Sequence, residues 1–249
     1  MRYLALVAVL SALCARPACA AGIEIRPTVT LVLQAQEPAP VLLIACNTAN
    51  APARETLSLS LPGGTVQPDS VSLEVAPKGW QLVAARVSLP EAADTGVLTA
   101  RAGSATVRLP VMRGIDLTLL PWKRKLTDRN APVDPQWASP DVDDRAWPDL
   151  QPPGLWEEND YAWCRVHVTL PEAWRGRRLR LLIGAVDDND VTYLNGEEIG
   201  RTNGWDIRRD YPLPERLVRW GADNVLTVMV DNPNYGGGLY KGPLFIVVG

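Results

Sequence analysis

The sequence predicts an all-β protein built as two consecutive sandwiches, and three observations carry that reading. Nine Trp stand against one Phe, beside 22 Pro and 19 Gly, a profile of short strands joined by many turns. Apolar side chains alternate with period two in several runs, and no amphipathic helix of three turns is found. The aromatic residues also change abruptly along the chain. Residues 22–113 hold one Trp (Trp80) and no Tyr or Phe, whereas residues 114–249 hold eight Trp, five Tyr and the only Phe. So sharp a change predicts two cores, with the join between Arg113 and about Pro121.

Three segments follow in order. Residues 1–20 read as a secretory signal peptide: Met1-Arg2 gives a positive start, Tyr3 to Leu13 an apolar run, and Ala18-Cys19-Ala20 a small-x-small cleavage signal. The apolar run is too short to span a bilayer, which takes about 20 residues, so the expectation is an exported protein, periplasmic or secreted, without a membrane span. Residues 21–113 show strand-length runs at Thr28–Gln34, Val41–Cys46, Glu55–Leu61, Val71–Val75, Trp80–Leu89, Gly96–Arg101 and Ala105–Val111. In Thr56–Leu61 the leucines face one way and the hydroxyls the other, as in a half-buried strand. Turn chemistry such as Pro62-Gly63-Gly64 and Pro77-Lys78-Gly79 separates the runs. That density of short strands predicts an immunoglobulin-like β-sandwich, read as a scaffold or spacer.

Residues 114–249 form the second sandwich. In Trp163–Leu170, Cys164, Val166, Val168 and Leu170 share one face, and Trp163, Arg165, His167 and Thr169 the other. Arg178–Ile183 follows with Leu179, Leu181 and Ile183 inward, and then Val191–Leu194 and Glu197–Ile199 flank Asn195-Gly196. Asn-Gly between two such runs is a strong hairpin signal, because both turn positions favour φ > 0. Asn224–Val230 and Leu244–Val248 complete the strands, and Leu217–Trp220 reads as one helical turn ended by Gly221.

Composition narrows the function. A net charge of −3 without a basic tract argues against nucleic-acid binding, which needs a positive footprint. Cys46 and Cys164 fall on apolar strand faces of different segments, which favours two buried thiols over a bridge. One His and two scattered Cys supply no zinc framework.

From Asp143 onward the sequence resembles the galactose-binding-like jelly-roll modules of family 2 glycoside hydrolases and of sialate O-acetylesterases. The matching words are Asp143-Asp144-Arg145-Ala146-Trp147, Pro153-Gly154-Leu155-Trp156-Glu157, Ala162-Trp163-Cys164-Arg165 and Leu170-Pro171-Glu172-Ala173-Trp174. They continue with Gly184–Asp190, Tyr193-Leu194-Asn195-Gly196, Arg208-Arg209-Asp210-Tyr211, Gly221–Val225 and Gly236-Gly237-Gly238-Leu239-Tyr240. The series is ordered and covers roughly residues 120–249. It implies a jelly-roll sandwich in a non-catalytic, carbohydrate-binding or accessory role beside a separate glycosidase or esterase. Length agrees with that expectation. A catalytic barrel takes about 250 residues, and the chain shows neither a Gly-x-Ser-x-Gly elbow nor alternating strands and helices to hold one. Two other readings stay open: a structural or protein-interaction module without ligand, and a stand-alone glycan hydrolase.

A sugar site needs flat aromatic platforms and side chains that make paired hydrogen bonds. Trp156, Trp205, Tyr235 and Tyr240 are the candidate platforms, and Arg165, Asp188, Asn195, Arg209 and Asn232 the candidate polar partners. Trp147, Trp163 and Trp174 read as core. Trp205, in the polar segment Asn203–Asp206, reads as the exposed platform. No catalytic residue is assigned, and no cofactor is expected beyond a Ca²⁺ alternative at Asp187, Asp188 and Asp190. That run lacks the spaced ligands and terminal Glu of a calcium loop, so carboxylates accepting backbone N–H bonds at a strand turn are the competing reading. His167 reads as a satisfied surface histidine, and Arg175, Arg177, Arg178 and Arg180 as a solvated face.

Overall fold

The computed structural model of the protein describes residues 22–29, 31–35, 37–233 and 236–249. The signal peptide expected at residues 1–20 and the candidate Tyr235 lie outside these residues. The chain divides after Met112 into two compact units. Both are all-β, as expected, and among the described residues only the second adds short 3₁₀ turns.

The first unit is a sandwich of two antiparallel sheets. Strands β1 (Ile23–Pro27), β2 (Val32–Gln34), β3 (Ala39–Asn47), β4 (Ala53–Ser60), β5 (Thr65–Gln67), β6 (Ser70–Val75), β7 (Trp80–Ser88) and β8 (Thr95–Ala102) are followed by β9 (Ala105–Asp116). One sheet runs β1-β3-β7-β5; in the other, β9, β8, β4 and β6 are successive neighbours, and β2 pairs with β9. Alternation sets the core. Leu57 and Leu59 from β4, Val83, Ala85 and Val87 from β7, and Leu98 and Ala100 from β8 all bury in one cluster, while the serines between the β4 leucines face water. Period two exposed these strands in the sequence. The three-residue β5 and the edge strand β1 are too short or too polar to show it.

The second unit contains the last residues of β9 and strands β10 (Trp122–Thr127), β11 (Asp149–Leu150), β12 (Tyr161–Thr169), β13 (Leu179–Asp187), β14 (Asn189–Leu194), β15 (Glu197–Thr202), β16 (Arg209–Leu213), β17 (Asp223–Asp231) and β18 (Gly238–Val248). Six strands form one sheet in the order β11-β10-β12-β17-β14-β15, and β16-β13-β18 form the facing one, with residues 114–116 paired along β18. The main core lies between them. Cys164, Val166, Val168 and Leu170 meet Leu179, Leu181 and Ile183, with Trp122 and Trp174 filling the ends. These are the inward faces the alternation predicts. Cys46 and Cys164 are both buried and are not joined by a disulfide; burial pushes the Cys164 thiol up to about 12.

The other face of β12 differs from expectation. Trp163 is fully buried, as its reading as core expects, but Arg165, a candidate ligand partner, is fully buried as well. The segment of residues 128–147, which carries only the 3₁₀ turn Pro135–Ala138, folds across this side. Ala138, Trp137 and Trp147 cover Trp163, Tyr193 and Met229 as a second small core. Alternation cannot announce such a cover, because a loop that packs on a sheet has no period of its own. Trp174 is buried as expected, and Trp147 is partly buried in this second core.

Against the Ala138–Pro140 part of this cover, the hairpin β14–β15 turns at Asn195-Gly196, with φ of 52° and 89°. Asn195 is fixed by its neighbours: its Nδ2 donates to Leu217 O and Asn224 Oδ1, and its Oδ1 accepts from Val225 N. Asn224 in turn donates to Arg219 O and Ala222 O and accepts from Arg219 N. The helical turn expected at Leu217–Trp220 falls instead at Glu215–Leu217, and these amides hold its end. Asn224→Ala removes the side-chain partner of Asn195 Nδ2, Arg219 N and O, and Ala222 O and is expected to cost about 2–4 kcal/mol, read as a lower midpoint in chemical denaturation.

Candidate functional site

The candidate site is the end of the second sandwich where β13 passes into β14 and β15 into β16. Its frame is a buried ion pair. Arg209 of β16 and Asp190 of β14 are both fully buried at the side chain, with Nε 2.7 Å from Oδ1. Arg209 also donates through Nη1 to Ile207 O and through Nη2 to Asp188 O at 2.8 Å. Asp190 accepts further bonds from Thr192 Oγ1 at 2.7 Å and Tyr211 Oη at 3.0 Å, and Thr202 joins Tyr211 at 2.7 Å. Burial pushes the Asp190 carboxyl above its usual range, with Arg209, Thr192 and Tyr211 pulling against that rise. The Tyr211 hydroxyl is raised by burial and by the Asp190 charge. Gly200 makes this possible: a Cβ there would lie 2.2 Å from the Tyr211 ring, so only glycine lets the ring cross β15 to reach Asp190.

This frame holds the loop 203–208. Gly204 N donates to Asn189 Oδ1 at 3.1 Å, Arg209 binds Ile207 O, and Tyr240 Oη of β18 donates to Trp205 O at 2.9 Å. The backbone is thus tied at three points while the Trp205 side chain is left 56% exposed, with Ile207 exposed beside it. Gly204 carries φ of 118°, which a β-carbon disfavours. Asp187 and Asp188 stand half-buried at the β13–β14 corner. Burial, then the neighbouring Asp188 carboxyl, holds Asp187 above the usual range, while Arg209 opposes the rise.

Of the expected ligand residues, Trp205, Tyr240 and Asp188 come together here with open surface. Arg209 and Asn232 reach the same end but are buried, Asn232 lying against Gly237. Trp156 also sits at this end, where it forms a bridge with Gly237. It is 9% exposed and packs in the main core with the Arg124 guanidinium 5.0 Å from its ring centroid. It is therefore not an open platform. Asn195 is at the far end of β14, spent on the turn described above.

Arg165 is inside the sheet cover. Its Nε lies 2.8 Å from Asp144 Oδ2, and its Nη1 donates to Trp137 O and Ser139 O. The common physical reason is that arginine and asparagine satisfy irregular backbone as readily as they bind ligands. Among the described residues no group of three His, Cys, Asp or Glu is placed to hold a metal ion, and of the Ca²⁺ candidates Asp190 is paired with Arg209.

The sequence reading did not single out Asn189 or the Tyr211–Thr202 contact. Alternation in Arg209–Leu213, where Arg209, Tyr211 and Leu213 bury together, is the signal that finds the arginine on the inward face. His167 lies away from this end. Its Nδ1 is 2.7 Å from Asp223 and its Nε2 3.1 Å from Asp144. Burial disfavours the imidazolium, yet the bonds to Asp223 and Asp144 outweigh it and raise the group above its usual 6.5.

No protein-family model matches the chain, and no curated protein matches it. Solved structures that resemble part of it include a Bacteroides uniformis β-glucuronidase at 20% identity and a TM-score of 0.47, over 55% of this chain and 17% of that one. A glycosyl hydrolase family 2 member from Bacteroides cellulosilyticus aligns at 18% and 0.46, over 55% and 20%. A β-glycosidase from Bacteroides vulgatus aligns at 22% and 0.43, over 52% and 19%. The chain thus spans a fifth or less of each of these enzymes. Their activities belong to those proteins, and the β-sandwich assignment rests on the strand pairing given above.

Two outcomes follow. Asp190→Asn leaves Arg209 buried without a counter-charge and is expected to cost about 3–5 kcal/mol, whereas Asp190→Leu with Arg209→Met costs less; urea unfolding separates the two. Because the His167 value is raised on folding, its contribution to stability is complete below pH 6.5 and is lost as pH rises through the raised value. His167→Gln should flatten the pH dependence of the unfolding midpoint in that window.

Proposed function

We propose that the protein is an exported, non-catalytic carbohydrate-binding or accessory protein that holds a sugar against Trp205. The observation that carries the reading is the indole of Trp205, exposed on a loop whose backbone is fixed by Asn189, Arg209 and Tyr240. A pyranose offers an apolar ring face and a rim of hydroxyls; a flat aromatic ring covers the first, and nearby carboxylates accept from the second. Asp188 and Asp187 supply those acceptors at the same end. The ordered likeness to sugar-binding jelly rolls in residues 143–240 points to the same ligand class.

The non-catalytic part of the reading rests on how the ionisable groups are used. Asp190 is neutralised by Arg209, and His167 is held between two carboxylates on another face, so neither is poised against Trp205. Chemistry on the sugar then belongs to a separate glycosidase or esterase. Export is read from residues 1–20.

Titration calorimetry of the full chain against a panel of mono- and oligosaccharides tests the site. Binding is expected, and Trp205→Ala should weaken it about ten-fold or more with the unfolding midpoint unchanged. No heat with any sugar at millimolar concentration argues for a structural or protein-interaction module instead. Turnover of chromogenic glycosides or acetyl esters by the pure chain would remove the non-catalytic reading. N-terminal sequencing of the protein recovered outside the cytoplasm should begin at Ala21.

A further inference from the structure

Residues 128–147 cross the outer side of the six-stranded sheet without joining it as a strand. Among the described residues their backbone–backbone hydrogen bonds stay within the segment, as from Trp137 N to Asp134 O, Val142 N to Ser139 O and Trp147 N to Asp144 O. Side chains tie it to the sheet instead. Arg129 pairs with Asp231 at its start, Arg165 holds the carbonyls of Trp137 and Ser139 in its middle, and Asp144 anchors its end. Trp137, Ala138 and Trp147 pack beneath these ties.

The anchor at Asp144 is a cluster of four charges. His167 of β12 has both ring nitrogens on carboxylates, Nδ1 2.7 Å from Asp223 of β17 and Nε2 3.1 Å from Asp144. Only the imidazolium donates from both nitrogens; the neutral ring turns a lone pair on one of the two carboxylates. The other charges nearby have partners of their own. Arg165 on β12 is bonded to Asp144, Lys123 of β10 lies across from Arg165 and pairs with Asp149, and Asp143 and Arg145 on the segment bond each other. A protonated His167 thus balances two carboxylates with two cations, and a neutral one leaves Arg165 alone against both. Asp223 is open to water and recovers its loss there, whereas Asp144 is buried and does not. A second feature works against closure. Thr227 of β17 stands between Arg165 and Tyr193 in the strand register, so its side chain shares their face. Its hydroxyl is fully buried there without a hydrogen-bond partner, a standing cost that water relieves when the segment lifts.

We propose that residues 128–147 are a pH-controlled strap, closed over Trp163, Tyr193 and Met229 while His167 carries its proton and released from the Asp144 end when the proton leaves. Because the closed fold raises the His167 group above its usual 6.5, the strap is closed at and below that pH and loosens as pH rises through the raised value. Release uncovers the Trp163 and Tyr193 rings, whose centroids lie 6.1 Å apart.

Hydrogen exchange of the full chain, read as protection factors from about pH 5.5 to about pH 9, tests this. Protection of the Trp137, Val142 and Trp147 amides is expected to fall several-fold across the range while the amides of β12 and β17 keep theirs. His167→Gln keeps a donor without the charge, and should leave the strap weakly protected at every pH. His167→Arg keeps the charge and donors for both carboxylates, and should hold it protected throughout. Asp223→Asn takes a carboxylate from the ring without touching the strap, and should move the release to lower pH. Strap protection that does not change with pH, a fall shared equally by β12 and β17, or an unaltered release in His167→Gln overturns the proposal. Sugar binding at Trp205 enters none of these readouts, so that reading keeps its own test.

Discussion

The end of the second sandwich depends on one ion pair taken wholly out of water. Moving a guanidinium and a carboxylate into the interior costs several kcal/mol for each ion, and only full hydrogen bonding recovers it. Arg209 and Asp190 meet that condition with strands and loop backbone together: the acid is held from β14, β16 and the arginine, and the arginine spends its other donors on Ile207 and Asp188 carbonyls. The cost of desolvation thereby fixes a loop that has no regular structure of its own. Arg165 does the same elsewhere, drawing the carbonyls of Trp137 and Ser139 and the carboxylate of Asp144 onto the back of β12. Here burial raises an acid, while at Asp144 two cationic partners outweigh burial and hold the carboxyl below its usual range.

Much of the fold is legible in the sequence because period-two alternation and turn chemistry act locally. Leu57 and Leu59, or Val166 and Val168, declare an inward face from their spacing alone, and Asn195-Gly196 declares its turn. What is not legible depends on distant residues. Trp163 and Arg165 occupy the face that alternation assigns to water, and only the packing of residues 128–147 over them shows otherwise. Strand β10, Trp-Lys-Arg-Lys-Leu-Thr, reads as polar because its cations sit over aromatic rings, Lys125 Nζ 4.5 Å from the Trp137 centroid and Arg124 Cζ 5.0 Å from that of Trp156. Strand β16 contains a buried arginine and a proline, neither of which announces a strand.

The candidate site was legible to a similar depth. Composition marks Trp205 well, because a large aromatic residue in a glycine- and asparagine-rich segment has little to pack against. It marks the polar partners poorly. Arg165, Asn195, Arg209 and Asn232 have the donors and acceptors that a sugar would need, but carbonyl groups of the chain itself need them too, and they are closer at hand. Trp156 is not an open platform for a related reason: its backbone bridges to Gly237 while its side chain packs in the main core, with the Arg124 guanidinium over the ring.

The Asn195-Gly196 corner has a chemical consequence beyond its shape. Asparagine followed by glycine is the pair most prone to cyclise and lose its amide, since the small glycine lets the next peptide nitrogen reach the side-chain carbonyl carbon. In the folded chain that carbonyl group is held by Val225 N, and the amide nitrogen by Leu217 and Asn224, so the rotation that ring closure needs means giving up three hydrogen bonds. Unfolding releases them together. Aspartate at this corner would then return a negative charge to face two carbonyl oxygens. The hairpin is therefore also a clock that runs only while the chain is open, and each excursion leaves a molecule less able to close again.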